Sequence, residues 1–446
     1  MMQAESSAPR TESQRKGDQQ VDVLIIGGGL AGLAAARRAH GAGRSVAVVT
    51  ESPGSLPYTS GALDLLSVYP TETKRYRSRP WEALAELIER EPLHPYGRVG
   101  LGGVRRAWDD FLAYLAAGPL QYQHRGEENQ TIVTPAGTIK PTFAVPATLA
   151  AGVEAWQQHR PTAIVGFAGL ADFSPEQVVG NLRPRWPGLR AIRVDPAKLL
   201  PVDRRPTPAV LAAEFDRAEF RERFCQAIEP QLEGARFVGL PSVLGFVRAT
   251  ESCQDLSRRL QAGVFEIPLL SPSHPGMRLA ELLKGDLWDA GVTVLQGAPI
   301  RRFDAEGDRI VAAWRQGRTK LQRIGARAVV LATGRFFGGG LEATPHGVHE
   351  CLLNLPVTVP FGRDDWHMST FLGAPGHPIN RVGVQVDRMM RPVDGDGRPR
   401  YRNLFAAGAL LAHHDWVREK SGAGISVATG YAATEAALAS LPSLIE

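Results

Sequence analysis

Cys225, Cys253 and Cys351 are the only cysteines in 446 residues, too few and too far apart for an iron–sulfur cluster or a zinc site, and no C-x-x-C pair occurs. An odd, scattered set reads as structural thiols in a reducing compartment. No apolar run is long enough to cross a bilayer; the longest is broken by glycines and ends at Arg37 and Arg38. The opening residues lack the apolar stretch of a secretory signal, so residues 1–20 are expected to form a disordered tail. Charge of one sign is not concentrated either. Lys and Arg number 51 against 46 Asp and Glu, the arginines are spread along the chain, and no nucleic-acid-binding signature is present. These absences argue against a metal site on the chain itself, a spanning segment and a nucleic-acid partner. What remains is a chain with 43% hydrophobic residues, enough core-forming material for about two to three domain-sized units.

The stretch from Val21, "VDVLIIGGGLAGLAAARRAHGAGRSVAVVTE", carries the clearest chemistry. An apolar strand runs into glycines, a helix-forming segment follows, and a second apolar strand ends at Glu51. In this G-x-G-x-x-G frame Gly27 permits the tight turn, Gly29 lets backbone approach a pyrophosphate, and Gly32 lets helix and strand pack closely. The first-turn N–H groups around Leu30 and Ala31 would receive the anion at the positive end of the helix dipole. Glu51, 19 residues after Gly32, stands where a carboxylate accepts hydrogen bonds from ribose hydroxyls and repels a 2′-phosphate.

Further along, "QTIVTPAGTIKPTFAV" reads as a hairpin around Pro135–Gly137, and strand–helix alternation fills residues 156–290. A second hairpin, turning at Gly307 and Asp308, leads into "RAVVLATG", a buried parallel strand ending in a glycine turn at Gly334. "NLFAAGAL", with Gly408, and a Gly-rich loop entering an Ala-rich helix at Gly422 and Gly424 close the chain. The expected fold is therefore α/β. It is a Rossmann-like FAD/NAD(P)-binding fold, residues 21–155 and 291–446 forming a discontinuous flavin-binding domain around an inserted α/β substrate or cap domain at 156–290. Gly422 and Gly424 are expected to bring backbone against a flat ring system, and Ser60 and Gly61 to touch flavin phosphate or ring.

The order of these elements resembles the two-dinucleotide-binding-motif flavoproteins that include the fumarate reductase flavoproteins. "SGALDLLS", "GLADF", "PSVLGF", "LATGRFFGGGL" and "NLFAAGALL" more closely resemble the B subunit of the anaerobic glycerol-3-phosphate dehydrogenase family, from Val21 to the last helix. The resemblance implies oxidation of sn-glycerol 3-phosphate to dihydroxyacetone phosphate. It also implies two partners in one complex: a second flavoprotein, and a cysteine-rich iron–sulfur protein that attaches the complex to the membrane at its cytoplasmic face. Quinone is the implied acceptor. The family description assigns FMN, whereas the loop and Glu51 suit the full dinucleotide FAD. The chain departs from the glycine-rich family pattern at His413-His414-Asp415-Trp416.

Oxidising a secondary alcohol through flavin needs a base near the hydroxyl and a cation for the phosphate. Arg335, following the "LATG" turn, is the phosphate candidate, its guanidinium being suited to bidentate grip. His413 is the base candidate, with His414 beside it and His346 and His367 ranked behind. Two other readings stay open: a flavin-binding electron carrier without substrate chemistry, and a stand-alone fumarate-reductase-like flavoprotein.

Overall fold

The computed structural model describes residues 19–201, 205–360 and 362–442. Most of the expected N-terminal tail lies outside the described residues; Gln19 and Gln20, also expected in it, instead open the first strand.

That strand, β1 (Gln19–Ile26), is apolar and buried through Val23–Ile26, as suits a strand covered on both faces. It leads into α1 (Leu30–Gly41) and β2 (Val46–Thr50), which returns parallel to β1. After a helical stretch ending at Ala117 and the hairpin of Gln130–Val133 with Ile139–Thr142, α2 (Ala147–Gln158) opens the inserted unit. There β3 (Thr162–Phe167), β4 (Leu189–Val194), β5 (Phe237–Pro241) and β6 (Gly263–Ile267) form an all-parallel sheet in the order β6-β5-β3-β4. The chain then re-enters the first unit through α3 (His274–Asp289), β7 (Thr293–Gln296), the hairpin β8 (Ile300–Glu306) and β9 (Arg309–Gln316), and β10 (Leu321–Leu331). β11 (Leu404–Ala406) and α4 (Gly422–Ala439) complete it.

The main sheet runs β7-β2-β1-β10-β9-β8. The long β10 pairs with β1 along its length, with β9 at its N-terminal end and with β11 at its C-terminal end. Small side chains decide how the helices approach. α1 is Ala-rich and almost wholly buried on its first two turns, and α4 packs on it so closely that a β-carbon at Gly430 would collide with the Ala31 carbonyl.

There are two large cores. One collects β1, α1, β2, β10, β11 and α4; the other, running from Val133 to Leu269, surrounds the inserted sheet. The division expected at 290/291 differs from this arrangement. Leu279, Ala280, Leu283 and Leu287 of α3 are buried in the first core, because one face of that helix packs against α1 and β7. At the other edge, residue 155 falls inside α2, whose Ala155 joins the second core.

Candidate functional site

Gly27, Gly29 and Gly32 do three different things. Gly27 has φ +121, and a β-carbon there would strike the Ala332 carbonyl, so the first glycine turn and the "LATG" turn touch. Gly32 faces the Gly27 carbonyl so closely that no β-carbon fits. Gly29, the N-cap of α1, has nothing within 4 Å of where a β-carbon would stand, and no side chain caps the helix. An open cradle over the first-turn N–H groups of Leu30 and Ala31 is what a pyrophosphate requires. Glu51, one residue past β2, is exposed and makes no ion pair among the described residues. Gly408, at φ +77, lies against the Ala31 methyl, and its N–H donates to Thr429 Oγ1 at 2.8 Å. Gly334 sits in the turn after β10 at φ +75, and the neighbouring Thr333 Oγ1 is buried without a hydrogen-bond partner. Residues from three distant parts of the chain thus converge on α1, and they fit a dinucleotide: an open anion cradle, a free carboxylate and an orphaned hydroxyl.

Ser60 and Gly61 lie in the loop after β2, which folds back so that Gly54 packs on Gly29. Gly61 is buried at φ +74, and its carbonyl accepts from Tyr122 Oη at 2.5 Å. The closing glycines separate. Gly422 lies beside the Trp416 ring, whereas the space at Gly424 is filled by the Tyr96 hydroxyl and Leu65. The Gly424 N–H also donates to the Asp64 carbonyl at 2.9 Å. Close protein packing, not an open ring site, accounts for the glycine at 424.

Arg335 is placed differently from the expectation of a phosphate-gripping group. Buried beneath the turn, it donates from Nε to the Ala409 carbonyl at 3.1 Å, from Nη1 to the Asn380 carbonyl, and from Nη2 to the Leu411 carbonyl at 3.0 Å and His414 Nε2 at 3.1 Å. Burial pushes its pKa down to about 10. A guanidinium engaged along its whole edge is a clamp holding residues 380 and 409–414 together. His414 is engaged with it. Because arginine can only donate, His414 Nε2 is an acceptor and Nδ1 carries the hydrogen, buried and without a partner. Burial, then the charge of Arg335, holds this imidazole well below its ordinary pKa.

His413 is the freer of the pair. Its backbone, at φ +70, exchanges bonds with Arg381: His413 N–H donates to the Arg381 carbonyl at 2.9 Å, and Arg381 Nη2 donates to the His413 carbonyl at 3.1 Å. His413 Nε2 meets Gln385 Oε1 at 3.2 Å, which makes Nε2 the donor and leaves Nδ1 with its lone pair. Burial, then the cations Arg381 and Arg98, lowers its pKa.

Both His413 and Arg381 line a cavity of about 340 Å³ with Tyr69, Glu91, His377, Asp415, Arg418 and Glu419. Residues 358–360, 368, 375–378, 381 and 382 supply much of its lining, and Arg418 pins the stretch before Pro375 by donating to the Gly373 carbonyl at 2.9 Å and to the Ala374 carbonyl. No residue of 156–290, the expected cap, lines it. Arg381 also donates to Glu91, yet its Nε and Nη1 have no partner among the described residues. Beneath the cavity Glu419 is a buried carboxylate. Burial alone would raise it, but His94, with Nε2 3.3 Å from Oε2, and Ser421 Oγ, donating at 2.7 Å, bring it down to about 2. Arg381, Arg418 and Glu419 escaped the sequence reading. The latter two stand in the same "HHDWVRE" stretch as His413, whereas Arg381 lies in a loop with no motif.

A glycine-cradled helix in contact with the turn after β10, from which Arg335 reaches Asn380 and His414 beside the cavity residues Arg381 and His413, defines the site of a flavin-dependent oxidoreductase. The chain matches the FAD binding domain family over residues 22–425 and belongs to it. Of the two cofactors left open by the sequence, FAD is the one this family binds. The chain is 32% identical over 430 residues to the B subunit of a probable anaerobic glycerol-3-phosphate dehydrogenase from Halobacterium salinarum, covering 93% of this chain and 97% of that one. It is 30% identical over 422 residues to the B subunit of the anaerobic glycerol-3-phosphate dehydrogenase from Yersinia pseudotuberculosis, covering 91% and 95%. Among solved structures it aligns with a flavocytochrome c3 fumarate reductase in an open conformation at a TM-score of 0.42 and 12% identity, covering 95% of this chain and 79% of that one. Among the described residues no helix is long and apolar enough to cross a membrane, and no group of three or more His, Cys, Asp or Glu could hold a metal ion.

Proposed function

We propose that this chain oxidises sn-glycerol 3-phosphate to dihydroxyacetone phosphate as one flavoprotein of a respiratory complex. The observation that carries the reading is the cavity in which Arg381, with unengaged donors, stands beside His413, with an unengaged Nδ1. Arg381 takes the phosphate in place of Arg335, whose donors are occupied, and Arg418 pins the stretch before Pro375. His413 accepts the hydroxyl proton at Nδ1 as the carbonyl forms, its Nε2–H held by Gln385. FAD, when bound, supplies the acceptor for the hydride that leaves the carbinol carbon with its electron pair. The cofactor is held by Gly27, Gly29, Leu30, Ala31 and Gly32 at its pyrophosphate, and by Glu51 at its ribose. Ser60, Gly61, Gly334, Gly408 and Gly422 complete its surroundings. The relatives are named as one lettered component of a multi-subunit dehydrogenase, which supports an assembly with a second flavoprotein and an iron–sulfur protein. In that assembly the chain sits at the cytoplasmic face of the membrane and its electrons reach quinone.

Anaerobic titration of the FAD-loaded chain with glycerol 3-phosphate tests this, following the oxidised flavin band near roughly 450 nm. Bleaching by substrate alone supports the proposal. Bleaching only after the second flavoprotein is added assigns the chain to electron carriage. Arg381→Met is expected to raise KM about 10–100-fold with kcat little changed, the effect of losing charge-assisted bonds to a group that does not react. Steady-state kinetics across substrate concentration check it; an unchanged KM moves the phosphate elsewhere.

A further inference from the structure

The inserted unit contributes nothing to the cavity lining, yet among its contacts with the rest of the molecule one short segment reaches the loop that carries Ser60 and Gly61. On one flank of this segment Ser273 N–H donates to the Pro57 carbonyl at 2.9 Å and Ser271 Oγ to the Tyr58 carbonyl at 2.7 Å. Pro275 fills the space at Gly61, and Gly276 lies against the Leu56 and Thr59 carbonyls so tightly that no β-carbon fits. On the other flank His274 Nδ1 donates to the Ser242 carbonyl at 2.8 Å. Arg278 donates from Nε to the Gly245 carbonyl at 2.9 Å and from Nη1 and Nη2 to the two Glu266 oxygens at 2.6 and 2.9 Å. Glu266 accepts in turn from Leu244 N–H at 2.9 Å. The Arg278 and Glu266 side chains are 3% and 0% exposed.

Ser242–Gly245 follows β5, and Glu266 lies at the end of β6, so these contacts sit at the carboxyl edge of the inserted parallel sheet. In open α/β sheets that edge is where ligands are received. Here the N-terminal turn of α3 is received instead. A buried bidentate pair holds two elements in one relative position, because breaking it leaves an uncompensated charge in the interior.

We infer that the segment Ser271–Arg278 is a strut by which the inserted unit sets the Ser60–Gly61 loop for flavin, with Arg278 as its positioning residue. The inference rests on the proposed reading of Ser60 and Gly61 as flavin contacts. It assigns the insert a task in cofactor binding rather than in covering the substrate.

The test uses the full chain with FAD as the probe. Removing Arg278 alone strands Glu266, so the informative variant is the double change Arg278→Met with Glu266→Met, in which an apolar pair replaces the ions. It is expected to stay folded and melt cooperatively, at a lower temperature because the Leu244 N–H and the Gly245 carbonyl lose their partners, and to bind FAD about tenfold more weakly, a difference of about 1.4 kcal/mol. Amide exchange in residues 56–61 should quicken, and the bound-flavin absorption band should shift. Arg278→Lys keeps the charge pair but loses the bidentate grip on Glu266 and the bond to the Gly245 carbonyl, and should fall between double variant and wild type. Wild-type FAD affinity and wild-type exchange in whichever of these variants fold would overturn the strut. Ser60→Leu separates the two ideas: weakened FAD binding there with none in the Arg278 variants removes the strut alone. Unchanged binding in Ser60→Leu removes the loop's contact with flavin, and the inference with it.

Discussion

Replacing Gly29 by isoleucine is expected to leave the chain folded and to strip it of FAD. Gly29 has φ −80 and ψ −178, ordinary extended backbone open to any residue, and its missing side chain would meet no protein atom. Folding stability should change by no more than about 1 kcal/mol, the scale of a helix N-cap substitution. The branched side chain would stand over the uncapped first turn of α1, where the pyrophosphate of a dinucleotide approaches backbone N–H groups. Loss of two or more charge-assisted bonds at about 1.5–3 kcal/mol each corresponds to at least about a 100-fold weaker complex. Gly32→Ile provides the contrast. Its β-carbon collides with the Gly27 carbonyl, so this variant should fail to accumulate as folded protein whether or not FAD is present. Flavin-to-protein absorbance after purification and the thermal melt of the apoprotein measure the two effects. A Gly29→Ile protein that retains a full complement of FAD would show that the cradle over α1 does not receive the cofactor.

That contrast marks how far sequence reaches in this molecule. The β1–α1–β2 unit, the hairpin turning at Gly307 and Asp308, and the strand "RAVVL" were legible because each depends on local periodicity and on glycines at turns. The same glycine signal could not separate Gly29, which faces open space, from Gly424, which makes room for the Tyr96 hydroxyl some 300 residues earlier in the chain. Arg335 looked available for a ligand because nothing in its neighbourhood shows that carbonyls from Asn380, Ala409 and Leu411 converge on it. The cavity was hidden for the same reason. Its walls come from residues near 69, 91, 358–360, 368–382 and 413–419, and only long-range packing assembles them. α3 was counted with the insert because it continues the strand–helix alternation. Its burial against α1 and β7 is a tertiary choice that periodicity does not encode.

Replacing His413 by glutamine is expected to lower turnover of glycerol 3-phosphate by about 10²–10⁴-fold, the usual worth of a positioned general base, while leaving FAD bound and KM within a few-fold. His413 and His414 are adjacent in sequence, but their rings have different hydrogen-bond partners. Nε2 of His414 already accepts from Arg335, so the ring is fixed as a neutral support. His413 donates through Nε2 to Gln385 and keeps Nδ1 as an acceptor. Burial lowers its pKa below the ordinary 6.5, and the positive charges of Arg381 and Arg98 lower it further. The active form is the unprotonated one, so kcat/KM should fall as pH drops through that lowered value, and the acid limb should lie below pH 6.5. Removing a neighbouring cation relieves the protonated form. Arg381→Met should therefore move the acid limb toward higher pH in addition to raising KM, whereas Arg381→Lys should leave it near its original position. The rate of flavin bleaching on rapid anaerobic mixing, measured across pH, separates this chemistry from later electron transfer. An acid limb that survives unchanged in His413→Gln, or a bleaching rate equal to wild type, would transfer the proton to another group of the cavity. Of the three wall carboxylates, Glu91 paired with Arg381 and Asp415 bound to Asn380 would then be the groups to replace next.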